Sequence, residues 1–192
     1  MARPRAPQPV KLLCGLLSND RDLLQRARQL LRKRFGTVDL RSEIWPFDQT
    51  DYYEAEMGSG LERRFVCFER PIPPDALPDI KLETNALEQQ IADDCLLPDI
   101  ARPVNIDPGY IDLSKLVLAS TKDSGHRVYL ARGIYAEVTL RYTHGKWVEH
   151  PWTYPDYRSS DCHTFFSEVR ERLRLQRAEP ARPAADKPDE TP

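Results

Sequence analysis

Residues 121 to 127 read Thr-Lys-Asp-Ser-Gly-His-Arg. Lys122 and Arg127 supply charges that hold a phosphate or carboxylate, and Arg adds a bidentate grip. His126 brings an imidazole, the side chain whose ordinary pKa lies near neutral, and this suits proton transfer. Asp123 is close enough in sequence to orient that imidazole. The segment joins two apolar runs, so rigid elements hold a loop of the kind that carries binding residues. The plain alternative is a hairpin loop in which Asp123-Ser124-Gly125 only makes the turn. Glu137 follows within an alternating run, on its polar side with Tyr135, Thr139 and Arg141. Left open, that side is a solvated face. Covered by another layer, Glu137 becomes a general base or a metal ligand. His126, Glu137 and Asp123 are therefore the candidates for catalysis.

Further segments carry polar and aromatic groups that neither a core nor an ordinary surface requires. Asn105 and Asp107 open Asn-Ile-Asp-Pro-Gly-Tyr, which reads as a turn because Pro presets φ and Gly allows φ > 0. Its functional reading places Asn105, Asp107 and Tyr110 beside a ligand. Trp152 to Arg158 offers Tyr154, Asp156, Tyr157 and Arg158, which can stack on or pair with a ligand. The alternative is an aromatic plug packed on a sheet. Asp51, Glu54 and Glu56 are hard oxygen donors of the kind Mg²⁺ takes. Their spacing fits no calcium loop, and we assign no metal site from it.

These residues need elements to position them. Val10 to Leu17 is apolar on both faces, as a central strand is. A helix follows, capped by Asn19, with Leu23, Leu24, Ala27, Leu30, Leu31 and Phe35 as its stripe and Gly36 at its end. Val38 to Trp45 and Leu61 to Glu69 read as strands. A second helix spans roughly Pro78 to Asp94, or starts only at Asn85 and leaves Ile80 to Leu82 extended. Leu116 to Ser120, Val128 to Ala131 and Ile134 to Tyr142 read as strands, the last with Ile134, Ala136, Val138, Leu140 and Tyr142 inward. His144-Gly145 stands where a two-residue hairpin turn belongs. A last helix runs from about Ser160 to Leu175. The order predicts an α+β single domain: a ferredoxin-like βαββαβ opening half, with Val104 to Ile106 as its fourth strand, extended by antiparallel strands and a C-terminal helix.

The 192 residues carry 28 Lys and Arg against 30 Asp and Glu, a net charge of −2. That balance gives no whole-chain attraction to nucleic acid or to an anionic membrane. The first helix does carry a local basic face, Arg21, Arg26, Arg28, Arg32, Lys33 and Arg34, so RNA binding stays as an alternative to a solvated surface. No run of 18 apolar residues suggests a membrane span. Of 17 prolines, Pro4, Pro7 and Pro9 crowd one end and Pro180, Pro183, Pro188 and Pro192 the other. We expect residues 1–9 and 178–192 to be disordered and residues 10–177 to fold. Cys14, Cys67, Cys95 and Cys162 form no C-x-x-C pair, which suits reduced thiols in a cytoplasmic protein.

Taken together, Pro46-Phe-Asp-Gln-Thr-Asp-Tyr-Tyr-Glu, Asn105-Ile-Asp-Pro-Gly-Tyr, Lys115-Leu-Val-Leu-Ala-Ser-Thr-Lys-Asp, Gly133-Ile-Tyr-Ala-Glu-Val-Thr-Leu and Trp152-Thr-Tyr-Pro-Asp-Tyr-Arg-Ser resemble the bacterial family catalogued as domain of unknown function 4416. Pro9-Val-Lys-Leu-Leu and His126-Arg-Val-Tyr-Leu belong to the same likeness. The resemblance covers the whole folded part and implies no established activity, though some relatives carry a GTP-binding label. A P-loop needs Gly-x-x-x-x-Gly-Lys-Ser/Thr. Here the lone Gly-Lys, Gly145-Lys146, precedes Trp147. Thr121-Lys122-Asp123 lacks the spacer of the guanine-reading signature. P-loop chemistry is therefore not expected. The expectation is one pocket for a small anionic ligand, phosphorylated or nucleotide-like. Lys122, Arg127 and Arg158 would hold the anion, and His126 with Glu137 or Asp123 would move a proton. The rival is an interaction module without catalysis. Cofactor and oligomeric state stay open.

Overall fold

The computed structural model describes residues 3–95 and 100–178. The first two residues of the expected arm, and the expected tail from residue 179 on, lie outside the described residues. Strand β1 (Lys11–Ser18) is buried along its whole length. Helix α1 (Arg21–Phe35) buries Leu23, Leu24, Ala27 and Leu31 and stops at Gly36, whose φ is 95°. Its cap is Asp20 rather than Asn19, because the Asp20 carboxylate accepts from the Asp22 amide at 2.7 Å. The extended run after it breaks into β2 (Val38–Arg41) and β3 (Trp45–Pro46), both on β4 (Glu62–Phe68). Ser42 makes the break. Its hydroxyl, not its carbonyl, accepts from the Phe65 amide.

A short helix, α2 (Glu54–Met57), precedes β4. Helix α3 (Leu77–Cys95) follows it, so Ile80 to Leu82 are helical and Asn85 caps nothing. Next come β5 (Asn105–Ile111), β6 (Lys115–Ser120), β7 (Val128–Ala131), β8 (Ile134–Thr143), β9 (Lys146–Glu149) and α4 (Ser160–Ala178). His144 and Gly145 have φ of 49° and 78° and make the expected β8–β9 hairpin turn. Among the described residues no helix is long and apolar enough to cross a membrane.

The sheet order is β2-β4-β1-β5-β6-β8-β7, with every pair antiparallel. The first four strands have the ferredoxin-like order, and the rest extend the same sheet: an α+β fold. One expectation is corrected within β5. Asp107-Pro108-Gly109-Tyr110 is not a turn but the middle of this strand, paired with β1 from Asn105 to Ile111. Proline is tolerated because β6 pairs with β5 only from Gly109 onward. Gly109 is needed because a Cβ there would lie 2.3 Å from the Val117 carbonyl oxygen.

Helices α1 and α3 cover one face of the sheet, over Leu12, Cys14, Leu16, Val66, Phe68 and Ile106. Helix α4 covers the other, over Leu13, Phe65, Cys67, Ile111, Leu116 and Leu140. Strand β8 departs from the expected alternation. Leu116 faces Leu140 but Val117 faces Val138, so Thr139 is an extra, bulged residue. Glu137 and Thr139 are consequently buried while Val138 is exposed. Glu137 pairs opposite Leu118 and shares its face, under the connector that leads to α4.

Candidate functional site

Past Gly109 and Leu118 the ladder between β5 and β6 ends, and the two strands part. A cleft of about 420 Å³ opens there, within the usual range for small-molecule sites. Each wall comes from an element already placed. Strand β4 supplies Arg63, β5 supplies Asn105 and Asp107, and β8 supplies Glu137. The loop after β6 supplies Lys122 and Arg127. The connector supplies Tyr154, Asp156 and Tyr157. Lys81 arrives from α3 in the opposite layer, with Nζ donating 3.1 Å to the Ile106 carbonyl. Phe47, Tyr52 and Tyr53 close the remaining side.

At one end lies the carboxylate of Glu137, 3% exposed. Its Oε2 accepts from Arg127 Nε at 2.8 Å and lies 3.1 Å from His126 Nε2. Its Oε1 accepts from the Thr139 hydroxyl at 3.2 Å. Arg127 also donates to the Tyr154 hydroxyl at 2.7 Å and to the Lys122 carbonyl at 2.9 Å. Burial, with the Glu137 charge behind it, pushes the Tyr154 phenol up to about 12, so it keeps its proton at neutral pH. His126 stands behind Glu137 rather than in the cleft wall. Ser124 Oγ is 3.1 Å from its Nδ1, and its ring stacks on Trp152 at 5.2 Å. Lys122 Nζ donates to the Tyr52 hydroxyl at 2.6 Å across the mouth.

At the other end, Arg63 crosses β1 over Gly15. Its Nη1 donates to Asp107 Oδ2 at 3.1 Å, and its Nε approaches Asp156 Oδ2 to 3.0 Å without hydrogen-bond geometry. Asp107 also accepts from Asn105 Nδ2 at 2.6 Å. Burial opposes ionisation of Asp107, but Arg63 and Lys81 outweigh it and hold the carboxyl below its ordinary value. For Asp156 burial wins over Arg63, and the carboxyl is pushed up. Arg63 is thus paired with both carboxyls, with hydrogen-bond geometry only to Asp107. Arg102 donates to Asn105 and, at 3.0 Å, to Glu88 at the edge of this group.

Most of the expected site residues therefore converge. Lys122, Arg127, Asn105, Asp107, Glu137, Tyr154, Asp156 and Tyr157 all line the cleft, and His126 touches it through Glu137. Three expectations are corrected. Tyr110 packs with Leu77, Val117 and Ile134 on the α3 side of the sheet, since strand alternation turns it away from Asp107 and Gly109. Arg158 is occupied by the carbonyls of Thr153 and Pro151 and does not reach the cleft. Asp123 is exposed, and Ser124 takes the place beside His126 that we expected it to fill. The acidic stretch forms α2, where Glu54 and Glu56 are exposed. Among the described residues no three His, Cys, Asp or Glu side chains gather around a point that could hold a metal.

Arg63, Lys81 and Arg102 are additions that the sequence reading missed. For two of them a signal was present. Arg63 is two residues from Phe65 and four from Cys67, so strand alternation puts it on their buried face. Lys81 sits among Leu77, Ile80 and Thr84, all buried on α3. No solved structure and no curated protein matches the chain. A family model does match, over residues 8–173, and takes in every residue of the cleft. The chain belongs to the family described as Domain of unknown function (DUF4416).

Proposed function

We propose that this protein binds a small anionic ligand, phosphorylated or nucleotide-like, in the cleft between β5 and β6. One observation carries the reading. Arg63, Lys81, Arg102, Lys122 and Arg127 line the cleft against only Asp107, Glu137 and Asp156, in a chain whose net charge is −2. A local excess of cations in a concave site concentrates anions. Arg127 is the main anchor: Glu137, the Lys122 carbonyl and the Tyr154 hydroxyl hold its guanidinium in the cleft wall, and each Nη keeps a second N–H for a ligand. Glu137 and His126 form the pair placed to move a proton, with the Tyr154 phenol as a hydrogen-bond donor. A cytoplasmic setting is part of the proposal, in keeping with four free cysteines.

Thermal unfolding against inorganic phosphate, nucleotides, sugar phosphates and acyl phosphates tests the reading. A ligand at 100 times its Kd stabilises by about 2.7 kcal/mol, a shift of roughly 5–10 °C at this size. The shift should disappear in Arg127→Ala and persist in Arg158→Ala. A flat response to every anion would overturn it. The RNA reading loses support from the same structure, because Arg21, Arg26 and Arg34 are already paired with Glu62, Asp94 and Glu83.

A further inference from the structure

Three polar atoms on the cleft floor have no hydrogen-bond partner: Arg63 Nε, Asp156 Oδ2 and the Tyr157 hydroxyl. Their residues are 4%, 9% and 1% exposed. Buried polar groups are nearly always satisfied, so a cluster that is not calls for an explanation. The three are neighbours. Arg63 Nε and Asp156 Oδ2 are 3.0 Å apart. Arg63 Nη1 and the Tyr157 hydroxyl both border the space over Gly15, at 3.0 and 3.1 Å from where its Cβ would be. The Tyr157 hydroxyl has no partner, and the Arg63–Asp156 ion pair is made without hydrogen-bond geometry; a buried hydrogen bond left unmade costs about 1–3 kcal/mol, a cost that a ligand able to complete it would remove.

The charges divide between the two ends of the cleft. On the floor Arg63 and Lys81 stand against Asp107 and Asp156, and Arg102 is paired with Glu88. At the mouth Lys122 and Arg127 face only Glu137. An anion belongs at the mouth, because on the floor it would meet two carboxylates. A carboxylate can only accept hydrogen bonds and a guanidinium can only donate them. The floor therefore requires an uncharged group that does both. A hydroxyl is one donor and two acceptors, and adjacent hydroxyls can serve Asp156, Arg63 and Tyr157 together. An alkyl tail would strand all three.

We infer that the ligand is a polyol phosphate: a sugar-like body whose hydroxyls complete the floor at Arg63, Asp156 and Tyr157, with its phosphate at Lys122 and Arg127. This rests on the anion reading above and narrows it. The rings of Phe47, Tyr53 and Tyr154 supply apolar surface for the C–H faces of such a body.

The test is calorimetric titration of the whole chain with inorganic phosphate, butyl phosphate, ribose 5-phosphate and glucose 6-phosphate. At least one sugar phosphate should bind 10-fold or more tightly than butyl phosphate. Tyr157→Phe and Asp156→Asn keep the shape of the floor and should each erase most of that preference while leaving inorganic phosphate binding unchanged. Two variants guard against one that fails to fold. If butyl phosphate binds as well as both sugar phosphates, the inference falls and the anion reading stands. If none of the four binds, the reading of the cleft as an anion site falls and takes the inference with it.

Discussion

Arg63 has two carboxyls beside it, and their pKa values are shifted in opposite directions. Asp107 is held below its ordinary value because Arg63 and Lys81 outweigh its burial. Its contribution to stability is present above the unfolded-state pKa of about 3.9 and is lost as pH falls through the lower folded value. Asp156 is pushed up by burial, so the sign reverses. The folded state holds the Asp156 proton more tightly, and stability is lost as pH rises through that raised value. Asp107→Asn should cost about 2 kcal/mol at pH 7, the order expected for a hydrogen-bonded charge, and should flatten the acid limb of the stability curve. Asp156→Asn should be neutral or stabilising at pH 7, by up to about 1 kcal/mol. Urea unfolding at pH 7 and pH 3 checks both. Equal losses from the two would show that Arg63 depends on them alike. Gly15 is the other residue on which this arrangement turns. A methyl there would lie 3.0 Å from Arg63 Nη1 and 3.1 Å from both Phe65 Cε1 and the Tyr157 hydroxyl. Gly15→Ala should destabilise by about 1–3 kcal/mol, as overpacking does, and should displace Arg63. An undiminished unfolding midpoint would mean that the guanidinium swings clear.

At the scale of elements, two strand irregularities build the cleft. Pro108-Gly109 lets β5 lie close to β6 at one end and part from it at the other. The Thr139 bulge turns Glu137 under the connector. Gly109→Ala places a Cβ 2.3 Å from a backbone oxygen, which no rotamer change relieves. It should cost more than 3 kcal/mol or abolish folding, as judged by circular dichroism and urea unfolding. A midpoint close to the parent's would mean that β5 and β6 can separate without loss. These two features also mark where the sequence was hard to read. Periodicity found the strands and helices because each buries an apolar face, and it gave the ferredoxin-like order of the first half. It misread Pro108-Gly109 as a turn, since the same two residues that favour a bend also suit a strand lacking a partner on one side. It left open whether Glu137 lies on a solvated or a covered face, because a one-residue bulge leaves no mark in an alternating pattern. The ionisable loop at Lys122 to Arg127 was legible from residue types alone. Arg63 and Lys81 were not singled out, although each lies at an inward position, because a charge inside an apolar pattern reads first as surface.

In the whole molecule the cleft lies at the joint between the ferredoxin-like half and its extension. The two halves share the short ladder of Gly109–Ile111 with Leu116–Leu118, together with packing beneath α4 on one face and of Leu77 on Val117 and Ile134 on the other. Sheets open at their weakest junctions, and such sub-global openings cost less than complete unfolding. Amides of β6 and β8 that are freed when the halves part should therefore exchange faster than those of β1, which is paired on both sides. A ligand in the cleft would be held from both halves, by Arg63 and Asp107 on one side and Arg127 on the other. It must leave before the joint can open, so binding raises the cost of that opening by its full binding term. At 100 times Kd that term is about 2.7 kcal/mol, which slows exchange through the opening about 100-fold. The protection should reach β6 and β8 strands that touch the ligand at only a few residues, and should leave the outer strand β2 unchanged. Hydrogen exchange read by mass spectrometry, with and without a sugar phosphate shown to bind, checks this. Slowing confined to the Lys122–Arg127 loop would mean that the ligand orders a loop without clamping the two halves of the sheet.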